Sequence, residues 1–392
     1  MTVPFEPASE TLQAAHQWFA WFHRHPELAL HEFETTRKII EVLQNYSIDL
    51  LPNPLQTGVF ARIGGYRPGP KIALRADIDA LPINEVTGLP YASEAPGRMH
   101  ACGHDFHLTN LLATAIELKK IERELEGTVL LIFQPAEEAE HGGEQVVDTG
   151  ILNGVEAIFG LHVKPELPTG VVGIRSGNFS AAVDRIYVTF HGKGTHAAHP
   201  DSGRDVIVAS GEFIVSAQSI VSRNIDPFEP SVVSLTRIES GTTWNVLPDT
   251  ALLEGTVRSF HKKVRDKVKQ RLQEIVSGIA AVHGISGELR WVDGAPAVVN
   301  DERLTKLVER VAKNQGIKVT DVAPSMGGED FSCYQQVIPG VIFNIGVGCP
   351  YPVHNSKFKA DLRALEASVP LFVSLVHSYF EGSASDGQTL LS

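Results

Sequence analysis

The sequence predicts an α/β protein of two domains, and three observations carry that reading. Short apolar strands alternate with amphipathic helices up to about residue 182 and again after residue 294. The stretch between them follows a different order, β-α-β-β-α-β. A chain of 392 residues is also longer than one hydrophobic core comfortably serves.

Each element has its own signal. Apolar residues at Leu12, Ala15, Phe19 and Phe22 recur at helical spacing, and His25-Pro26 ends that helix. A second helix places Phe33, Thr36, Ile40 and Leu43 on one face. A short buried strand over 71–75 runs directly into Ala76-Asp77-Ile78-Asp79. A helix over 107–120 precedes a strongly apolar strand over 128–133, and a further strand over 157–161 ends at His162. The texture then changes. Ile186, Val188 and Phe190 alternate, and a helix over 205–222 carries Val206, Ala209, Phe213, Ala217 and Ile220 on one side. Strands over 231–238 and 250–260 follow, then a charged helix over 262–283 with Val264, Val268, Leu272, Ile275 and Ile279, then a strand over 288–292. That order is a split βαβ, ferredoxin-like α+β unit, inserted at 183–293 into a domain made of 1–182 plus 294–392. The α/β pattern resumes with a helix over 302–315, a strand over 341–347 and a helix over 362–380, before a polar tail after Gly382.

Bulk composition bounds the function. With 43% hydrophobic and 20% charged residues the chain is an ordinary globular protein. A net charge of -12 argues against nucleic acid or an anionic membrane as partner, because both select basic surfaces. No run reaches the roughly eighteen apolar residues of a membrane span, and the first residues lack a basic, then apolar, leader. Three cysteines, an odd and sparse set, fit a reducing compartment, so a cytoplasmic location is expected.

The chemistry concentrates in two segments. Met99-His-Ala-Cys-Gly-His-Asp-Phe-His107 offers a thiol and three imidazoles, and Gln134-Pro-Ala-Glu-Glu138 offers two adjacent carboxylates after an apolar strand. Soft and borderline ligands near a carboxylate pair suit a transition metal that activates water. Taken singly, each member has a plainer reading. A lone cysteine such as Cys102 is usually a small hydrophobe, a lone histidine such as His162 a hydrogen-bonded structural residue, and paired glutamates a solvated surface. The combination is what shifts the balance. Asp77, Glu137-Glu138 and His162 all follow predicted strands, and ligands bind at that edge of α/β sheets.

Further segments recur in order along the chain: Leu74-Arg-Ala-Asp-Ile-Asp-Ala-Leu-Pro82, Gly160-Leu-His162, Gly192-Lys-Gly-Thr-His-Ala-Ala198, Asn245-Val-Leu-Pro-Asp249 and Gly327-Gly-Glu-Asp-Phe331. With the two segments above, they make the chain resemble the peptidase M20 family. Within it the chain is similar to the amidohydrolase branch of aminoacylases, hippurate hydrolases, auxin-conjugate hydrolases and N-acetyldiaminopimelate deacetylases. The resemblance implies a di-metal aminopeptidase-like α/β catalytic domain with an inserted lid or dimerisation domain, and a homodimer through that insert. It implies two divalent metal ions (Zn, Mn, Co or Ni) bridged by Cys102, with His104, Glu138, His162 and His354 as further ligands. Most other branches carry an aspartate where Cys102 sits and a histidine where Arg75 sits. By the same resemblance Glu137 is the general base, and Asp77 orients a ligand or the base. His196 polarises the scissile carbonyl, and Asn245 and Arg258 grip the substrate carboxylate. Asp105, His107 and Glu329 are weaker candidates for supporting the metals.

The expected activity is hydrolysis of the amide bond of an N-acyl amino acid (N-acetyl, N-benzoyl or similar). A di-metal dipeptidase or exopeptidase is the alternative. Two other readings use the same residues differently: a metal-free thiol hydrolase with Cys102 activated by His104, and a non-catalytic binding protein. Retention of Glu137 and His196 beside a full ligand set speaks against the latter.

Overall fold

The computed structural model describes residues 4–139 and 141–389, with side chains to Gly382, so the polar tail expected after Gly382 falls outside the described side chains. The backbone separates into two compact units. The first comprises Met1–Gly177, Val299–Ala323 and Asp330–Ser392, and the second Asn178–Val298 with Pro324–Glu329. The second unit therefore takes in a segment well beyond the expected insert at 183–293.

The first unit is built on an eight-stranded mixed sheet. Its order is Asp49–Leu51, Val59–Gly64, Thr128–Gln134, Lys71–Asp77, Ala157–Lys164, Gly340–Gly346, Val172–Ile174 and Val319–Asp321. The central strand Lys71–Asp77 pairs in parallel with Thr128–Gln134 on one side and Ala157–Lys164 on the other. Gly340–Gly346 is parallel to Ala157–Lys164. These strands are buried almost throughout, as parallel strands covered on both faces must be, which is why they read as apolar runs in the sequence. The strands at 49–51, 59–64, 172–174 and 319–321 gave no clear signal, because most are only three residues long or pair antiparallel near an edge.

Helix His104–Lys120 is buried at every position from His104 to Leu118 and packs beside helices Ser9–Arg24 and Leu365–Thr389. It starts three residues earlier than its apolar pattern suggested. Gly103 caps it at φ 83, and a Cβ there would stand 2.5 Å from Val163 Cγ2. Glycine alone tolerates both the left-handed backbone and that approach, so the chain can turn between Cys102 and His104. Helix Phe33–Asn45 is rotated from the expected face. Thr35, Ile39, Val42 and Leu43 are buried while Phe33 is 53% exposed. Ile39-Ile40 and Val42-Leu43 offer two overlapping apolar stripes, and periodicity cannot choose between them. Strand Ala157–Lys164 continues through His162, where an earlier end was expected.

In the second unit, four antiparallel strands lie in the order Ser231–Ser240, Thr250–Ser259, Ala182–His191 and Ser286–Val292. Helices Val206–Ser219 and Lys262–His283 pack on this sheet through Val206, Ala209, Phe213 and Ala217, and through Val264, Val268, Leu272 and Val276. Asp205 caps the first of them by accepting the backbone N–H groups of Ile207 and Val208. A single π-helical turn, Ile220–Asn224, extends it. Contrary to expectation, the stretch Val206–Asn224 is long and apolar enough to cross a membrane by length and composition alone. Its inner residues belong to the core of this unit, whereas Ile207, Val208 and Val215 are exposed.

Candidate active site and metal centre

Five donors from four parts of the chain converge in the first unit. Cys102, His104 and His162 form one triad with ligand atoms mutually within 4.8 Å, and Cys102, Glu138 and His354 form a second. The thiol is common to both. Cys102 Sγ lies 3.4 Å from His162 Nε2, and His354 Nε2 lies 3.3 Å from Glu138 Oε1. His162 donates Nδ1–H to its neighbour's carbonyl at Val163 (2.8 Å), leaving the Nε2 lone pair for a metal. His104 Nε2 is buried with no hydrogen-bond partner among the described residues, while His104 Nδ1 and Glu138 Oε1 have ion-pair contacts at 3.3 Å, to Asp79 and His354. Buried donors left unpaired are costly in an ordinary core and are what a cation would satisfy. The imidazole and carboxylate donors suit divalent transition metals, and the thiolate is the softer donor of the set.

The loops that bring these groups in are strained at defined points. Ala136, just before Glu137-Glu138, has φ 57, and His354 has φ 63. Non-glycine residues in the left-handed region are held there by surrounding contacts. For His354 one such contact is its N–H bond to the Ala101 carbonyl, 2.8 Å. Glu137 belongs to a third group with His104 and Glu138, and its Oε1 accepts the Asp330 N–H at 3.4 Å.

Around the donors lies a buried network of supporting groups. Asp77 accepts from His107 Nδ1 (2.6 Å) and from Arg75 Nη1 (2.7 Å), and His104 Nε2 is 3.7 Å away. Burial alone would raise this carboxyl. His104, Arg75 and His107 outweigh it and hold Asp77 well below the usual range. His107 Nε2 accepts the Val163 N–H at 2.9 Å, so both of its nitrogens are engaged and it positions Asp77 without offering a free lone pair. Burial, against the pull of Asp77, lowers its pKa to about 4. Arg75 also donates to Asp330 (2.7 Å) and Gln134 (2.8 Å). Asp105 turns away from the donors to hold His23 at 2.6 Å. Burial first, then the Glu138 charge, pushes the Cys102 thiol well above its usual value. An adjacent dication reverses that direction by favouring the thiolate.

The second unit holds the other candidates. Thr195–His196 and Val246–Leu247 form a two-stranded ribbon in which His196 is paired with Val246, and the Ala197 N–H meets the Asn245 carbonyl at 3.0 Å. The Ala198 N–H donates to His196 Nδ1 (3.0 Å), so neutral His196 carries its proton on an exposed Nε2. Arg258 lies on strand Thr250–Ser259, half-buried, with no hydrogen-bond partner among the described residues, and burial lowers its pKa. Glu329 is buried in the short segment that joins this unit.

A profile of peptidase family M20/M25/M40 matches residues 73–378. The chain belongs to that family. With membership goes hydrolysis of amide bonds. An N-acetyl-L-cysteine deacetylase of Bacillus subtilis (strain 168) is 46% identical over 93% of this chain and 88% of its own length. A thermostable carboxypeptidase of Saccharolobus solfataricus is 38% identical over 88% of this chain and 90% of its own. The crystal structure of Bacillus subtilis YxeP, described as a dinuclear metal binding peptidase of the M20 family, superposes with a TM-score of 0.87. It is 40% identical and covers 95% of this chain and 99% of that one.

Within this M20 chain several supporting residues escaped the sequence reading. Arg75 appeared in a matching segment without a role, yet it bonds Asp77 and also Asp330, 255 positions further along the chain. Glu32 accepts the Ala136 N–H at 2.8 Å and the Thr57 hydroxyl at 2.8 Å, far from any motif. Asp79 accepts the N–H groups of Glu137 and Glu138. A charged residue inside an apolar strand, as Arg75 is, was the one available signal, because burial of a charge demands partners.

Proposed function

We propose that this enzyme removes the acyl group from N-acyl amino acids, using two divalent cations (Zn, Mn, Co or Ni). Cys102, His104, Glu138, His162 and His354 are the residues that would hold them, with Cys102 common to both donor triads. The observation that carries the reading is the pair of donor triads sharing the Cys102 thiol. When bound, the cations supply Lewis acidity toward the carbonyl and lower the pKa of a coordinated water. Glu137 takes the water proton and delivers it to the departing nitrogen, while Asp77, held by Arg75 and His107, is a supporting carboxylate beside the donors. His196 donates Nε2–H to the developing oxyanion, and its fixed tautomer supports that role. Asn245 and the guanidinium fork of Arg258 hold the substrate carboxylate. The 46% identity to an N-acetyl-L-cysteine deacetylase supports the substrate class.

The second reading is an exopeptidase built from the same parts, favoured by the similarity to a carboxypeptidase. A panel of N-acetyl amino acids, N-benzoylglycine and free dipeptides, assayed before and after exhaustive chelation, separates them. The proposal expects turnover of the acyl amino acids that is lost with chelator and restored by divalent metal. Turnover of dipeptides alone favours the exopeptidase, and activity indifferent to chelation overturns both.

The protein acts as a homodimer through its second unit. Ser231–Ser240 is an edge strand there, and Ile207, Val208, Val215 and Ile238 are exposed. A cytoplasmic location is supported by three buried cysteines, none of them in a disulfide among the described residues.

A further inference from the structure

We infer that Asp79 is a positioning residue that locks the base Glu137, the ligand Glu138 and the ligand His104 into one unit. The inference rests on the function proposed above, in which Glu137 moves the proton and the other two hold cations. Asp79 is 1% exposed, two residues past the end of strand Lys71–Asp77. Its Oδ1 accepts the Glu137 N–H at 3.1 Å and its Oδ2 accepts the Glu138 N–H at 3.0 Å. His104 Nδ1 stands 3.3 Å from Oδ1. One carboxylate thus faces every member of the group His104, Glu137 and Glu138.

The backbone explains why a carboxylate is needed. With Ala136 at φ 57, three consecutive N–H groups are each met by a buried carboxylate: Ala136 by Glu32, Glu137 and Glu138 by Asp79. Successive amides around a left-handed residue form a concave donor run that binds anions, and here the chain fills it with its own side chains. Each Asp79 oxygen serves one glutamate, so neither can shift without disturbing the other. Contact at His104 Nδ1 leaves Nε2 as the atom available to a cation. An asparagine has the same shape but can accept at one end only, because its NH2 would oppose an N–H.

The test compares wild type with Asp79→Asn, both full chain. Zinc affinity is read by chelator competition, and kcat and KM on N-acetyl amino acids are read at saturating zinc. The expected result is zinc binding weaker by ~10–100-fold. At saturating zinc, kcat should still be down about 100-fold with KM within about threefold, as for a misplaced base. A folded Asp79→Asn variant with unchanged zinc affinity and kcat overturns the inference. If that variant does not fold, amide hydrogen exchange on the wild type decides. The Glu137 and Glu138 amides should be strongly protected with and without zinc, and rapid exchange of either in the folded protein overturns the inference. Zinc affinity and amide exchange involve no substrate, so a wild type inactive on every N-acyl amino acid would overturn the proposed function and leave these readouts to judge Asp79.

Discussion

At the scale of single residues, the proposed function separates groups that bind cations from a group that moves a proton. Glu138 lies between His104 and His354, while Glu137 is held by backbone contacts at Asp79 and Asp330. Glu137→Gln keeps the shape and removes the base, so kcat is expected to fall by about 10²–10⁴-fold with metal content unchanged by elemental analysis. A variant that keeps its activity would show that the roles of the two glutamates are exchanged. The same scale bears on the metal-free thiol hydrolase. Such an enzyme needs a depressed thiol pKa, and burial with the Glu138 charge drives Cys102 the other way.

At the scale of elements, helix His104–Lys120 is anchored by its first turn. Asp105 holds His23 of helix Ser9–Arg24, whose other nitrogen meets Glu85 at 3.2 Å, and Tyr91 lies edge-on to the ring. Burial alone would lower the His23 pKa, but bonds to Asp105 and then Glu85 raise it from 6.5 to about 9. The folded value lies above the unfolded one. The contribution is therefore complete below about pH 6.5 and lost as pH rises through about 9, on the order of 3 kcal/mol in all. Thermal melts of the wild type are expected to fall across that window. His23→Gln, which takes up no proton, should show a flatter profile at lower overall stability. An identical slope in both proteins would remove His23 as the cause.

At the scale of the whole molecule, the proposed dimer rests on the exposed apolar residues of the second unit. Helix Val206–Ser219 buries one side in its own core yet leaves Val215 74% exposed, with Ile207 and Val208 nearby in sequence. Val215→Asp places a charge on that face without touching the core. Light scattering should then report a monomer where the wild type is a dimer. A wild-type monomer at micromolar concentration, or a Val215→Asp dimer of unchanged affinity, would show that the apolar face serves something else.

Much of this protein is legible in local pattern. The apolar strands at 71–77, 128–134 and 340–346, the helices at 9–24 and 262–283, and the ligand types themselves follow from periodicity and residue chemistry, which act over a few residues. The choice of face on helix Phe33–Asn45 does not, because two stripes fit equally well and packing decides. Nor does the company of the charged residues. Arg75 meets Asp330, Glu32 meets Ala136, and His354 reaches Glu138 across long stretches of sequence that only folding closes. Sequence thus determined which chemistry was available and in which elements it sat. Tertiary structure alone decided which charges share a buried network, since pairing across hundreds of residues is fixed by the neighbours each strand acquires on folding.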